Sequence, residues 1–175
     1  RCREVSWGSE MCIRDSIDTP GAYPGIESEE RGMSEAIAKN LSLLSNLKTP
    51  VIVIITGEGG SGGALAIGIG DHVCMLEHSI YAVASPEACA SIVWRDGSKA
   101  KDAAEAMKVD ASNLRNLGLV DEVIEEPLGG AHRDIRGVSN SISHVIEKKL
   151  QTFDEVDISD LLKKRYEKIM SYGSI

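Results

Sequence analysis

Gly57-Glu58-Gly59-Gly60-Ser61-Gly62-Gly63-Ala64 is the stretch of this chain whose residue types and spacing most suggest chemistry. It follows the β-branched run Val51-Ile52-Val53-Ile54-Ile55 and precedes small residues suited to a short helix from about Ala64 to Ile69. Glycine lets a backbone approach a ligand closely, and a helix start offers free N–H groups and the positive end of a dipole. An anion, or an oxyanion forming during a reaction, is the natural guest. Three readings fit the letters. Gly57, Gly59 and Gly62 match the dinucleotide pattern G-x-G-x-x-G, with Glu77 as the acidic partner, although Gly68 and Gly70 break the following helix early. Gly59 to Gly63 match the nucleophile pattern G-x-S-x-G around Ser61, with Asp121, His132 and His144 as candidate partners. Yet glycine on both sides of Ser61 suits display of backbone more than placement of a side chain. The third reading needs no nucleophile. The loop Pro20 to Gly25 and the loop Gly59 to Ala64 each follow a strand, and together they can aim one backbone amide apiece at a developing oxyanion.

Other candidate sites are weaker. The cysteines Cys2, Cys12, Cys74 and Cys89 form no C-x-x-C pair and have no zinc-like spacing. Cys74 and Cys89 sit among apolar or small residues and read as reduced core positions in a cytoplasmic protein. No metal site is expected. Lys163, Lys164, Arg165 and Lys168 fall on a helical stretch and read as a solvated face. A formal charge of −8 argues against a nucleic-acid binder, and no apolar run approaches the ~20 residues needed to cross a bilayer.

Strands alternate with helices, which defines an α/β class. Ile17 to Thr19 reads as the end of a strand, broken by Pro20-Gly21 and Pro24-Gly25. A helix capped by Ser28 carries Met33, Ile37, Leu41, Leu44 and Leu47 at helical spacing and stops at Thr49-Pro50. Val51 to Ile55 reads as a strand buried on both faces. His72 to Leu76 and Ile80 to Ala84 read as short strands. Ser85-Pro86 starts a helix, a second covers about Lys99 to Met107, and a third runs from Asp110 to Gly118. Leu119 to Ile124 is a strand, and amphipathic helices near Asp134 to Leu150 and Ser159 to Met170 follow. Residues 1–16 have neither period and resemble a translated adaptor joined to a shortened reading frame. They are set aside as non-native, leaving residues 17–175 as one domain.

The order strand, loop, helix, strand, Gly-Gly, helix resembles crotonase-like (ClpP/crotonase) domains. More specifically, Ile17-Asp18-Thr19-Pro20-Gly21-Ala22-Tyr23-Pro24-Gly25, Glu29-Glu30-Arg31-Gly32 and Gly57 to Ala66 resemble the carboxyltransferase α subunits of acetyl-CoA carboxylase. So do Ser85-Pro86-Glu87, Cys89-Ala90-Ser91-Ile92, Glu126 to Arg133, Arg165-Tyr166 and Met170-Ser171-Tyr172-Gly173. The resemblance runs from about Ile17 to the C-terminus and implies a domain incomplete at its N-terminus. It implies transfer of a carboxyl group from carboxybiotin, on a biotin carboxyl carrier protein, to acetyl-CoA, giving malonyl-CoA for fatty acid biosynthesis. It implies a β subunit in an α₂β₂ assembly, zinc only in that partner, and a bacterial cytoplasm or plastid stroma. By the same resemblance the amides of Gly62, Gly63 and Ala64 form the oxyanion hole, with Gly21 and Ala22 opposite. Tyr23, Gly59, Gly60 and Ser61 then lie against biotin.

Overall fold

A computed structural model of the chain describes residues 12–173. Five strands form one parallel sheet: β1 (Ile13–Thr19), β2 (Val51–Gly60), β3 (His72–Leu76), β4 (Ile80–Ala82) and β5 (Glu122–Ile124). Their order is β1-β2-β3-β5, and β4 pairs with the far end of β2. β3 lies beside Ile52 to Ile55, whereas β4 lies beside Glu58 to Gly60. The two therefore form one interrupted row along β2. Helices α1 (Ile26–Glu30) and α2 (Met33–Ser45) link β1 to β2, and α3 (Ser61–Leu65) follows β2. Next come α4 (Pro86–Trp94), α5 (Ala100–Met107) and α6 (Ala111–Asn116), and after β5 come α7 (Ile135–Phe153) and α8 (Ile158–Ser171).

The unbroken apolar run of β2 has a simple cause. Val51, Val53 and Ile55 face a core shared with Leu44 in α2's last turn, Ala64 of α3 and Leu114 of α6. Ile52 and Ile54 face a second core with Cys74 and with Val138, Val145 and Ile146 of α7. Period-2 side chains with both faces covered must all be apolar. Each buried side chain of this size contributes about 1.5–3 kcal/mol from removal of apolar surface.

Several boundaries differ from the sequence reading. β1 begins at Ile13, so residues 13–16, set aside as non-native, pair in register with Val51 to Ile54. The remainder of that adaptor assignment, residues 1–11, lies outside the described residues. The single helix read from Ser28 is two: Gly32, at φ +75°, separates α1 from α2, and Gly25 rather than Ser28 precedes the first turn. β2 continues through Gly60 and α3 starts at Ser61 rather than Ala64, because pairing with β1 and β4 extends the strand into the glycines. β4 ends at Ala82, and only Glu122 to Ile124 of the strand read from Leu119 pair with β3. Ser85 and Asp110 cap α4 and α6 as their side chains suggest, accepting from the amides of Ala88 and Asn113.

The basic cluster on α8 is not uniformly solvated. Arg165 is 1% exposed. Its Nε and Nη2 bind Asp71 at 2.8 and 2.7 Å, and Nη1 reaches the carbonyls of Leu44 and Leu47 at 2.7 and 2.8 Å. Nη2 also reaches the Thr49 carbonyl at 2.9 Å, and Asp71 accepts the Val51 amide at 2.8 Å. One guanidinium thus fastens the end of α2, the start of β2 and the turn before β3. Removing one partner of a buried ion pair leaves the other charge uncompensated, at about 3–5 kcal/mol. Arg165→Met is expected to lose that much in chemical denaturation, with Asp71→Asn/Arg165→Met recovering part of it. A loss below about 1 kcal/mol in the single variant would mean the clamp does not hold the fold.

Candidate active site

The two loops singled out in the sequence leave the sheet at the same end, because β1 and β2 are parallel neighbours with Thr19 opposite Gly59. They touch backbone to backbone. A Cβ placed on Gly63 would lie 2.7 Å from the Gly21 carbonyl carbon and 2.8 Å from the Ala22 nitrogen. One on Gly60 would collide with the Pro20 carbonyl, 2.8 Å from the Gly21 nitrogen. Gly21 itself sits at φ +129°, where a side chain is strained. Further back, Asp18 accepts the Glu58 amide at 3.0 Å and occupies the space beside Gly57. Gly60 and Gly63 are needed because main chain fills the space that their side chains would take.

The turn from β2 into α3 is abrupt. Gly60 is extended (φ −98°, ψ 123°), and Ser61 then adopts φ +47°. That left-handed conformation costs a residue with a Cβ roughly 1–2 kcal/mol. It swings the chain into a helix whose first amides, those of Gly62 and Gly63, have no intrahelical acceptor. Ala64 is fully buried in the core with β2, which anchors the turn from beneath. Across the contact, the Gly21 amide turns back to Thr19 Oγ1 at 3.3 Å, so Ala22 carries the amide that abuts Gly63. Tyr23 is 71% exposed, with its ring over Gly25. Gly59 lies under the ring of Tyr81, 2.8 Å from where its Cβ would stand.

Both letter matches fail on placement. α3 has five residues, too few for the crossover helix of a dinucleotide fold, and Glu77 instead accepts the Glu126 amide at 3.2 Å. The Ser61 conformation does resemble a nucleophile elbow, but its partners are elsewhere. Asp121 receives the Val73 amide at the beginning of β3, whereas Ser61 lies beyond the end of the parallel neighbour β2. His144 belongs to α7, which packs on the sheet face opposite α3. His132 lies in the turn after β5, a strand separated from β2 by β3.

Beside the turn lies a cavity of about 410 Å³, lined chiefly by apolar groups and including Ser61, Gly62, Leu65, Tyr81, Leu114 and Tyr172. The sequence reading gave Tyr81 and Tyr172 no role. Nothing local marks them, since β4 and the last turn of α8 meet only in the fold. Burial pushes the Tyr172 hydroxyl up to about 12, with Asp121 and Tyr81 adding to it, and burial raises Tyr81 as well. Both stay protonated at neutral pH and act as neutral hydroxyls rather than bases. Glu58 is exposed and is not among the residues that line this cavity.

Solved structures with this arrangement define a class. The chain superposes on a Pseudomonas malonate decarboxylase hetero-tetramer in complex with coenzyme A, with a TM-score of 0.65 at 18% identity over 88% of this chain and 60% of that one. It superposes on transcarboxylase 12S with a TM-score of 0.59 at 20% identity, over 94% of this chain and 28% of that one. For a probable enoyl-CoA hydratase from Mycobacterium thermoresistibile the TM-score is 0.55 at 14% identity, over 91% and 68%. The fold is that of crotonase-like proteins. Within that class, residues 10–173 match the family described as acetyl co-enzyme A carboxylase carboxyltransferase-like, and the chain belongs to it. It is 54% identical over 173 residues to the acetyl-coenzyme A carboxylase carboxyl transferase subunit alpha of Vibrio cholerae, covering 99% of this chain and 54% of the relative. The counterpart from Azotobacter vinelandii is also 54% identical, with 55% of its length covered. The chain thus spans about half the length of the curated relatives it matches.

The packing separates the glycines by tolerance. Gly60→Ala and Gly63→Ala force main chain apart and are expected to destabilise by about 1–3 kcal/mol. Gly62→Ala meets only Ile37 Cδ1, at 3.4 Å, and is expected to cost less than about 1 kcal/mol. Thermal unfolding of the three variants measures this, and equal losses would refute the loop contact.

Proposed function

We propose that the whole protein is the carboxyltransferase α subunit of acetyl-CoA carboxylase, and that the paired loops hold biotin's ureido oxygen. The observation carrying this reading is the backbone contact between Gly21-Ala22 and Gly60 to Gly63, which brings amides of the two loops together. The site suits the group because the amides of Gly62 and Gly63 lie at a helix start, where negative charge is favoured. Biotin cannot lie on Gly59 or Gly60 as the sequence suggested, since the Tyr81 ring and the Pro20 carbonyl fill the space beside them. Bound there, carboxybiotin supplies the carboxyl group and, on losing it, a ureido nitrogen able to take the acetyl methyl proton. The chain's own part is electrostatic. Gly62 and Gly63 donate from one loop and Ala22 from the other, while Ala64 and the buried β2 keep them from relaxing away. Gly21 contributes by making the close approach rather than by donating, and Ser61 contributes its turn rather than its hydroxyl. A preorganised donor of this kind contributes about 2.7–4 kcal/mol to the barrier reduction.

The reading places Tyr23, well exposed at the rim, beside the incoming carrier-borne ring. It also gives α1 and α4 a partner. Ile26 is 80% exposed, Ile92 75% and Val93 63%, which suits burial by a β subunit supplying most of the acetyl-CoA half of the site. Among the described residues no helix is long and apolar enough to cross a membrane, in keeping with work in the cytoplasm or a plastid stroma. A hydratase would need carboxylates over the acyl group, and among the described residues no Asp or Glu lines the cavity.

The test uses the full-length parent reconstituted with its β subunit. Malonyl-CoA decarboxylation is expected to depend on added biotin, and the present chain alone is expected to be inactive. Gly63→Val should abolish turnover, a drop of at least about 10²-fold, while still co-purifying with the β subunit. Biotin-independent turnover, or an active Gly63→Val complex, would overturn the proposal.

A further inference from the structure

On the sheet face away from α3, three side chains with metal-binding chemistry converge from two strands. His72 and Cys74 are two residues apart on β3 and so share a face, and Glu122 of β5 is the register partner of Cys74. His72 is 6% exposed, Cys74 is fully buried, and the Glu122 side chain is 29% exposed, which leaves one open approach. Their nearest ligand atoms all lie within 4.8 Å of one another, and His72 Nε2 stands 3.1 Å from a Glu122 carboxylate oxygen. The other imidazole nitrogen, Nδ1, faces Asp121 at 3.7 Å. Asp121 is itself held by the Val73 amide at 2.7 Å and by Lys168.

The geometry points to a site for a borderline divalent cation of the zinc class, bound by His72 Nε2, Cys74 Sγ and a Glu122 oxygen, with water as fourth ligand. Mixed nitrogen, sulfur and oxygen donors are the set such an ion takes, with bonds of about 2.0–2.3 Å that place ligand atoms roughly 3.3–3.6 Å apart. The widest pair must close by about 1 Å for all three to hold one ion. Asp121 stands behind the imidazole, 3.7 Å from Nδ1, placed to become the outer carboxylate of a ligating histidine when Nε2 turns to the metal. Binding replaces the S–H bond of Cys74 by a sulfur–metal bond and releases that proton to solvent. The site would clip β5, which pairs with β3 over three residues only, to the middle of the sheet.

Spacing along the chain could not have found this set, since its third member lies on another strand. The test is titration of the full, metal-stripped chain with Co²⁺. The expected result is one saturable site per chain, tetrahedral d–d bands, a sulfur-to-cobalt charge-transfer band, release of a proton, and displacement by Zn²⁺ with a raised melting temperature. Cys74→Ala should remove the charge-transfer band and Cys89→Ala should keep it. Asp121→Asn should weaken affinity about 10–100-fold with the spectrum unchanged. Glu122→Gln, on the partly exposed strand, checks the ligand set if the buried variants do not fold, and should weaken binding comparably. Absence of saturable binding, or a charge-transfer band that survives loss of Cys74, would overturn the site.

Discussion

Two loops that share a strand pairing meet here without side chains between them, and most of the molecule can be understood as what that meeting requires. Main chain against main chain at Gly60, Gly63 and Gly21 leaves no room for a Cβ. It holds only if the strands beneath do not slide. The parallel register of β1 on β2 sets the height of both loops, with a shift after Ile17 that brings Thr19 opposite Gly59. β4 and the Tyr81 ring support β2 from the other side at the same level. Ser61 accepts a left-handed backbone because Ala64, three residues on, is locked in the core. Strain at such a turn persists where the surroundings over-determine it.

The opposite end of β2 is fixed by different means. Arg165 reaches back 94 residues to Asp71 and satisfies three carbonyls at the end of α2. The last helix is thus part of the frame that positions the first loops, although it lies far from them in sequence. A guanidinium suits this task because its donors lie in one rigid plane that matches a carboxylate and nearby carbonyls together.

Much of this could be read in the residues themselves. Val51 to Ile55 announced a strand covered on both faces, Ser85-Pro86 and Asp110 announced helix starts, and the two glycine-bearing loops announced their meeting. What stayed hidden depends on tertiary contact. Pairing alone extends β2 into Gly57 to Gly60, and Gly32 divides a helix whose apolar spacing runs on. Ile13 to Ser16 have no strand pattern of their own and become a strand by lying along Val51 to Ile54. Arg165, in a run of basic residues, looked solvated because its partners are distant. Tyr81, Tyr172 and the His72–Cys74–Glu122 grouping likewise arise only when separate elements are brought side by side.

The functional account rests on backbone amides rather than on a catalytic side chain, and this makes it directly visible. A crystal structure of the full-length α chain with its β subunit and biotin would place the ligand without reference to rates. The account predicts the ureido oxygen about 2.7–3.1 Å from the amides of Gly62 or Gly63 and of Ala22, with Ser61 Oγ making no contact with the reacting atoms. A ureido oxygen bound by side chains, or biotin seated away from the two loops, would contradict it.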